Sequence, residues 1–177
     1  MKQTKHYWSL FTLDQWKVYL IATNKGLCYI GTQDKKFKEV TNYFNSKFSD
    51  YHLERNNEKL QPYLAELNTY FQQQSTFFTF PLDINGTEFQ LTVWNELRKI
   101  PYGRTLSYSQ IASNLGSPNS ARAVAKAISA NPMLVVIPCH RVIGKNGDLV
   151  GYRGGIEMKK QLLELEVRKF YSDSISY

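Results

Sequence analysis

The spacing of apolar residues changes along the chain, from short strand-like runs in the first eighty residues to helical spacing beyond residue 88. The segment TFPLDINGTEF between them contains Pro81 and an Asn85-Gly86 turn signal, which interrupt regular structure. At 177 residues the chain is long enough for one large domain or two small ones, and its apolar content is sufficient for a core. We therefore predict an α/β domain over residues 1–82 and a mainly α-helical domain over residues 83–177.

The first domain is predicted to contain three strands followed by two helices. The runs HYWSLFTL and WKVYLIAT are rich in aromatic and β-branched residues, and LCYIGT follows the turn signal NKG. Helices are predicted over about 35–47 and 57–73, the second with an apolar face that includes Leu60 and Leu67. Cys28 lies in the third strand, where it is interpreted as a small core residue.

The second domain is predicted to contain a pair of helices joined by a short turn. EFQLTVWNELRKI has helical spacing of its apolar residues and stops at Pro101. After the strand-like TLS, helices are predicted over about 107–115 and 120–130 with SPNS between them, which is the arrangement of a helix-turn-helix. Because most helix pairs in proteins only pack against their neighbours, this pattern alone leaves DNA binding open.

The second helix of this pair has little side-chain bulk, since alanine occupies alternate positions from 121 to 127. A helix that reads the major groove needs long polar side chains to reach the base edges. A thin helix suits the narrower minor groove, where width and backbone are read. If this helix contacts DNA, the sequence favours the minor groove.

Positive charge is concentrated in the second half of the chain. The formal net charge is +7 at pH 7, of which residues 1–86 contribute +2 and residues 87–177 contribute +5. Between residues 100 and 160, eight basic residues are accompanied by only Asp148 and Glu157. A polyanionic partner and an ordinary solvated surface are about equally consistent with the charge alone.

The chain has two cysteines, which are too few for a disulfide framework and favour a reducing, cytoplasmic location. The stretch MKQTKHYWSL lacks the apolar core of a signal peptide, and no apolar run is long enough to span a bilayer. No Cys/His cluster has the spacing of zinc ligands. We therefore expect no membrane association, no metal and no other cofactor.

One cysteine adjoins a histidine in the stretch IPCHRVI, which overlaps the end of the apolar run MLVVI. An isolated cysteine after such a run is most often a buried core residue. A thiol beside a general base is also the arrangement of an activated nucleophile, because the thiolate is the reactive form and free cysteine is mostly protonated at neutral pH. His140 therefore makes Cys139 a candidate nucleophile.

Three segments in a fixed order resemble the O6-alkylguanine-DNA alkyltransferases, which transfer alkyl groups from guanine oxygen to their own cysteine. The segments are TLSYSQIA…ARAVAKAISANP, IPCHRVIG and GYRGGIEMKKQLLELE. The resemblance extends from about Phe89 to Glu166, while the first eighty residues are similar to the family's N-terminal domain only in length and in their order of strands and helices. It implies a ribonuclease H-like N-terminal domain and a helix-turn-helix in the C-terminal domain.

The resemblance implies a catalytic role for each residue that matches the family's motifs. Cys139 would be the alkyl acceptor, and His140 would take its proton through a water. Glu166 would orient this histidine, in the logic of any nucleophile, base and orienting carboxylate. Tyr108 would protonate the departing guanine. Asn131 would link the recognition helix to the active-site turn.

The same matching implies residues that contact DNA and the base. The DNA-binding set comprises Arg122, Ala121, Ala123 and Lys126. The base-pocket set comprises Val142, Tyr152, Arg153 and Lys159. Arg122 would fill the gap left by the extruded base, and the carbonyl of Val142 would read the amine of guanine. Arg153 stands where some members have a small residue, so we expect Arg153→Ala to alter repair of bulky adducts more than repair of methyl.

The implied activity is direct DNA repair, in which an alkyl group, chiefly methyl, moves irreversibly from O6-alkylguanine to Cys139. The base must leave the duplex, which costs a few kcal/mol of stacking and pairing. Because the resulting thioether has no carbonyl for water to attack, we expect one transfer per molecule, as in a suicide enzyme. The expected partner is double-stranded DNA, bound through the minor groove by a monomer.

Three other functions are each consistent with part of this sequence. A damage-recognition relative without transfer activity would share the fold but would lack the acceptor thiol. A transcription regulator would use the helix pair, although no dimerisation or ligand module accompanies it. A thiol hydrolase would use a cysteine and a histidine but would release its product.

Some relatives hold zinc in the N-terminal domain, where this chain has only Cys28, His6 and His52, so no metal is expected.

Overall fold

The structure is a computed structural model that describes residues 4–48 and 50–174, with side chains described as far as Arg168. Contacts divide the chain into two compact units, Met1–Ile84 and Asn85–Tyr177. The first unit is α/β and the second is mainly α-helical, as predicted, and the division falls two residues after the expected boundary. Within the described ranges, no helix combines the length and the apolar composition that crossing a membrane requires.

The first unit is built on a four-stranded sheet. Its strands are β1 (Thr4–Leu13), β2 (Trp16–Ala22), β3 (Leu27–Ile30) and β4 (Tyr51–Arg55). Their order is β3-β2-β1-β4, with β1 antiparallel to β2 and parallel to β4. Strand β4 is not predicted from the sequence, because YHLER is short and polar and lies at the edge of the sheet, where few of its residues are covered.

Two helices cover opposite faces of this sheet. They are α1 (Phe37–Lys47) and α2 (Asn57–Phe71), close to the predicted ranges. From α2, the ring of Phe71 stacks on that of Trp16 with 4.5 Å between the centroids. From α1, Phe44 lies with its ring centroid 5.7 Å from that of Tyr29. These aromatic contacts lie in a core that also contains fully buried aliphatic residues such as Leu20 and Leu60.

The second unit contains four α-helices, two short strands and two 3-10 turns among the described residues. The helices are α3 (Glu88–Leu97), α4 (Tyr108–Asn114), α5 (Ala121–Ser129) and α6 (Ile156–Ser174). The strands are β5 (Leu106–Ser107) and β6 (Val142–Ile143), which pair in parallel. The 3-10 turns are Pro118–Ser120 and Cys139–Arg141. Both predicted helices of the 107–130 region are therefore present, joined by the first of these turns.

Local sequence signals fix where two of these helices begin. Thr87 and Gln90 form a capping box at the start of α3, and Ser107 and Gln110 form another at the start of α4. The indole nitrogen of Trp94 donates to the carbonyl of Ala127 at 2.8 Å, so α3 is tied to α5 inside the core.

Candidate active site

Cys139 begins a 3-10 turn directly after Pro138, and its thiol is buried. The side-chain amide of Asn131, which is itself fully buried, donates to the sulfur at 3.1 Å and to the carbonyl of Ile137 at 2.9 Å. Between these residues Val135 has a φ of 71°, a left-handed backbone that is strained for a β-branched residue. The turn that presents the thiol is therefore held by a buried amide and carries local strain.

The thiol of Cys139 is subject to opposing electrostatic effects. Burial raises the pKa of Cys139, because it disfavours the charged thiolate. The hydrogen bond from Asn131 and the positive charges of Arg153 and Lys159 lower it. The sulfur is thus buried, while positive charges and a hydrogen-bond donor that stabilise a thiolate lie near it.

His140 and Glu166 form a fully buried hydrogen-bonded pair. The His140 Nε2 and the Glu166 Oε1 are 2.8 Å apart. Because Glu166 is ionised, Nε2 must carry the hydrogen and donate it, which leaves the lone pair on Nδ1 as an acceptor. This Nδ1 is buried, and no hydrogen-bond partner for it occurs in the described part of the chain. Burial lowers the pKa of His140 against the opposing effect of Glu166, so the imidazole is neutral and able to act as a base.

Arg141 is a buried partner of this carboxylate, and the sequence reading assigned it no role. Its Nε donates to both oxygens of Glu166 at 3.1 and 3.0 Å, and its Nη2 donates to Oε1 at 2.9 Å. The backbone N–H of Gly103 donates to Oε2 at 2.9 Å. Burial alone would raise the pKa of Glu166, but His140 and Arg141 together hold it well below the usual range. No local sequence pattern signals this pairing, because Arg141 and Glu166 lie 25 positions apart in the chain.

Tyr108 opens α4, and its hydroxyl donates to the carbonyl of Val150 at 2.9 Å. Burial, followed by the charge of Cys139, raises the pKa of Tyr108. The phenol therefore keeps its proton at neutral pH, which a proton donor requires.

The loop before α6 and the first turns of that helix contribute three of the predicted pocket residues. Arg153 donates through Nε to the carbonyl of Asn131 at 2.8 Å and through Nη2 to that of Pro132 at 3.2 Å. The ring of Tyr152 lies edge-on to that of His140, with 6.4 Å between centroids. Lys159 is fully buried, and its Nζ donates to the carbonyl of Val142 at 2.6 Å.

The predicted DNA-binding residues lie apart from this hydrogen-bonded set, on α5. Arg122, Ala123 and Lys126 are exposed and Ala121 is half-buried, whereas Val124 faces the core. The structure therefore brings the predicted catalytic and pocket residues together around the thiol, and it places the predicted DNA-binding residues on one solvent-facing surface of a short helix.

A buried thiol with an adjacent neutral imidazole and an orienting carboxylate defines a cysteine-nucleophile site. Two family models match nearly the whole chain. Residues 6–84 match the 6-O-methylguanine DNA methyltransferase ribonuclease-like domain, and residues 88–168 match the DNA binding domain of the same family.

Individual proteins give the same result. The inducible methylated-DNA–protein-cysteine methyltransferase of Bacillus subtilis is 48% identical over 92% of this chain and 90% of its own length. The crystal structure of the Mycobacterium tuberculosis O6-methylguanine methyltransferase has a TM-score of 0.79 at 34% identity, covering 93% of this chain and 94% of that one. The M. tuberculosis OGT in complex with DNA has a TM-score of 0.78 with the same coverage. The chain belongs to the 6-O-methylguanine DNA methyltransferase family, which confirms the resemblance found in the sequence.

Proposed function

We propose that this chain repairs DNA by direct reversal, transferring the alkyl group of O6-alkylguanine, chiefly methyl, to its own Cys139. The observation that carries the proposal is the buried thiol with an amide at 3.1 Å and a neutral imidazole beside it in the chain. The names of the relatives, which are methylated-DNA–protein-cysteine methyltransferases, support the same reaction.

The proposed reaction balances without any cofactor. The thiol proton passes through a water to Nδ1 of His140, and Glu166 stabilises the imidazolium that forms. The sulfur then attacks the alkyl carbon, so that an S–C bond forms as the C–O bond breaks. Tyr108 donates its proton to the departing guanine, which leaves as the neutral base. The product thioether offers no route for hydrolysis, so each molecule acts once.

The proposed DNA contact is made by α4 and α5 as a helix-turn-helix, with α5 against the minor groove. The exposed surface of α5 carries Arg122 and Lys126 with alanines around them, which allows close approach to the backbone. The target base would be flipped out, and Arg122 would occupy the gap it leaves. Salt should weaken the binding, because phosphate contacts release counterions.

The remaining proposals concern the pocket and the first unit. The flipped guanine would lie against the carbonyl of Val142 and the loop of Tyr152 and Arg153. The first unit would have a ribonuclease H-like fold, as the description of the matching family model and the parallel addition of β4 to an antiparallel β1–β3 sheet both support. The protein would act as a monomer in the cytoplasm, with the first unit supporting the second.

The test uses duplex DNA in which one guanine carries a labelled O6-methyl group. The wild-type protein and Cys28→Ala should each acquire the label on the peptide that contains Cys139. Cys139→Ala should acquire none and should leave the lesion in place. Label on the Cys139→Ala protein, or repeated release of methyl product by the wild type, would refute the proposal.

A further inference from the structure

The ammonium group of Lys159 is enclosed by backbone carbonyls. Its side chain is fully buried on α6, and its Nζ donates to the carbonyl oxygens of Val142 at 2.6 Å, Val150 at 3.0 Å and Gly151 at 3.2 Å. The three N–H groups of the ammonium thus have three carbonyl oxygens as acceptors. Among the side chains that the structure describes, over residues 4–48 and 50–168, no carboxylate lies within ion-pair distance of this nitrogen.

A buried ammonium without a counter-ion is unfavourable for folding. Removing a charged group from water is unfavourable, and carbonyl dipoles offset only part of that cost. Burial accordingly lowers the pKa of Lys159 to about 8. An apolar side chain such as methionine would fill the same position without this cost, so packing does not explain the charge.

The carbonyls that Lys159 binds belong to two segments of the site. Val142 follows directly after the turn that carries Cys139. The carbonyls of Val150 and Gly151 are also the acceptors of the Tyr108 hydroxyl, at 2.9 and 3.5 Å. One ammonium group therefore connects the segment that holds the nucleophile to the loop that holds the proton donor.

The shape of this loop depends on a glycine. Gly151 has a φ of 56°, and a Cβ added there would lie 3.6 Å from the Tyr108 hydroxyl oxygen. The left-handed backbone turns the Gly151 carbonyl toward both donors at once. The two side chains thus share one bent segment of backbone, and the Lys159 contact restricts where its carbonyls lie.

The charge of Lys159 also acts on the reacting groups. Its positive charge lowers the pKa of Cys139 and that of His140, and Cys139 in turn raises the pKa of Lys159. The titratable groups linked to Lys159 by field or shared acceptor are thus Cys139, His140 and Tyr108. Inside a buried site such a field is only weakly screened by solvent.

We propose that Lys159 is a positioning residue for the transfer reaction, whose ammonium group holds the Tyr108 phenol in place relative to the Cys139 thiol and stabilises the attacking thiolate. Lys159 acts through backbone carbonyls and through its field, without touching the alkyl carbon. The inference rests on the proposed function, since it assigns a role within that reaction.

The test compares Lys159→Met with Lys160→Met, because Lys160 is the next residue on the same helix and is exposed. Two quantities are measured at several pH values: the rate of methyl transfer from O6-methylguanine DNA, and the rate at which iodoacetamide alkylates Cys139 without DNA. We expect Lys159→Met to slow methyl transfer about tenfold or more. The alkylation profile should place the thiol pKa higher by about one pH unit. Lys160→Met should match the wild type in both.

Several outcomes would overturn the role of Lys159. A folded Lys159→Met protein with wild-type transfer would do so. Slower transfer with an unchanged thiol pKa would also do so, because a merely structural defect has that effect. If circular dichroism shows Lys159→Met to be unfolded, Lys159→Gln replaces it, since its amide can still donate but carries no charge. Failure of the wild type to transfer methyl would refute the proposed function, while the alkylation comparison would still decide the role of Lys159.

Discussion

The surroundings of the two cysteines differ in their charges. Cys28, in the first unit, donates to the carbonyl of Ile21 at 3.3 Å, and burial followed by the negative charge of Asp83 raises its pKa to about 12. Cys139, in the second unit, is also subject to burial, but Arg153 and Lys159 supply positive charge and Asn131 supplies a hydrogen bond. Burial alone therefore does not make a thiol inert or reactive. Burial is the largest effect on the pKa of both thiols, and the two sites differ in whether the nearby charges add to that effect or oppose it.

The same contrast extends to the interiors of the two units. Among the described residues, the buried polar side chains of the first unit are His6 and Ser9. Those of the second unit are Glu96, Ser107, Asn131, His140, Arg141, Lys159 and Glu166. Most of this second set belongs to the active site or supports it. The interior of the first unit is almost entirely apolar, while the second unit contains buried charged side chains, most of them in the candidate active site.

The largest effect is expected from Glu166→Gln, which removes the buried negative charge from the surroundings of Cys139. Arg141 would then be a buried cation without its counter-ion, so the free energy of unfolding should fall by about 3–5 kcal/mol. Methyl transfer should fall about a hundredfold, because His140 loses the carboxylate that orients it. Urea denaturation and single-turnover transfer assays measure the two effects.

The matched control is Glu164→Gln, an exposed position on the same helix. It should change the free energy of unfolding by no more than about 0.5 kcal/mol. Iodoacetamide alkylation of Cys28 should be the same in both variants. Equal stability of Glu166→Gln and Glu164→Gln would contradict a structural role for the buried pair.

Acid should destabilise the protein through the groups around Cys139. The pKa of His140 in the folded state lies below its ordinary 6.5, and that of Glu166 lies well below its ordinary 4.5. As the pH falls, each group therefore takes up its proton at a higher pH in the unfolded chain than in the folded protein. The stability each group contributes is therefore present above its ordinary pKa and is lost as the pH falls toward its folded-state pKa.

Urea denaturation between pH 7.5 and pH 3 measures this loss. Each group can contribute a slope of at most about 1.4 kcal/mol per pH unit. We expect the His140 contribution to begin falling near pH 6.5 and the Glu166 contribution near pH 4.5. In Glu166→Gln, the fall in the free energy of unfolding that begins near pH 4.5 should be absent. A stability that does not change over this range would contradict the assignment.

A smaller effect is expected from Arg153→Ala, which makes the surroundings of Cys139 more like those of Cys28. Loss of the positive charge should raise the pKa of Cys139 and slow its alkylation at pH 7.5 about tenfold. The carbonyls of Asn131 and Pro132 would also lose their donor. Repair of bulky adducts should change more than repair of methyl, because the side chain lies in the predicted base pocket.

Arg168→Ala is the control, since Arg168 is an exposed arginine on α6. Its alkylation and repair rates should match the wild type. An unchanged thiol pKa in Arg153→Ala would reject the electrostatic role of Arg153. Equal changes in the repair rates of bulky adducts and of methyl adducts would contradict a role for Arg153 in determining which adduct sizes are repaired.

The smallest effect is expected from Asp83→Asn, which makes the surroundings of Cys28 less unfavourable to a thiolate. The negative charge that raises the Cys28 pKa is removed, but burial, the larger cause, remains. Alkylation of Cys28 at high pH should rise only about threefold. Asp50→Asn, at an exposed position, should leave it unchanged. A tenfold or larger rise would show that charge outweighs burial at Cys28.

Much of the fold could be predicted because its signals are local. The capping boxes at Thr87 and Ser107 fix helix starts, and the Asn85-Gly86 turn signal in the sequence lies where the two units divide. Strand β4 could not be found in this way, since its placement depends on pairing with β1 and not on its own composition. Edge strands with polar residues have no strong hydrophobic alternation to detect.

The candidate site was predictable where a motif was available and unpredictable where only tertiary contacts define it. Cys139, His140 and Glu166 were matched to family positions, and the structure places the last two 2.8 Å apart. The pairing of Arg141 with Glu166 joins residues 25 positions apart, and no local pattern indicates it. The carbonyls around Lys159 are backbone groups, which residue types do not reveal. The catalytic roles themselves stay predictions.

Intact-mass and peptide mass spectrometry of the wild-type protein, after incubation with excess O6-methylguanine duplex, tests the central contrast between the two thiols most directly. We predict one added methyl group per molecule, located on Cys139, with Cys28 unmodified and the amount of repaired DNA equal to the amount of methylated protein. Methyl on Cys28, an unmodified Cys139 beside repaired DNA, or repair in excess of the protein present would contradict it.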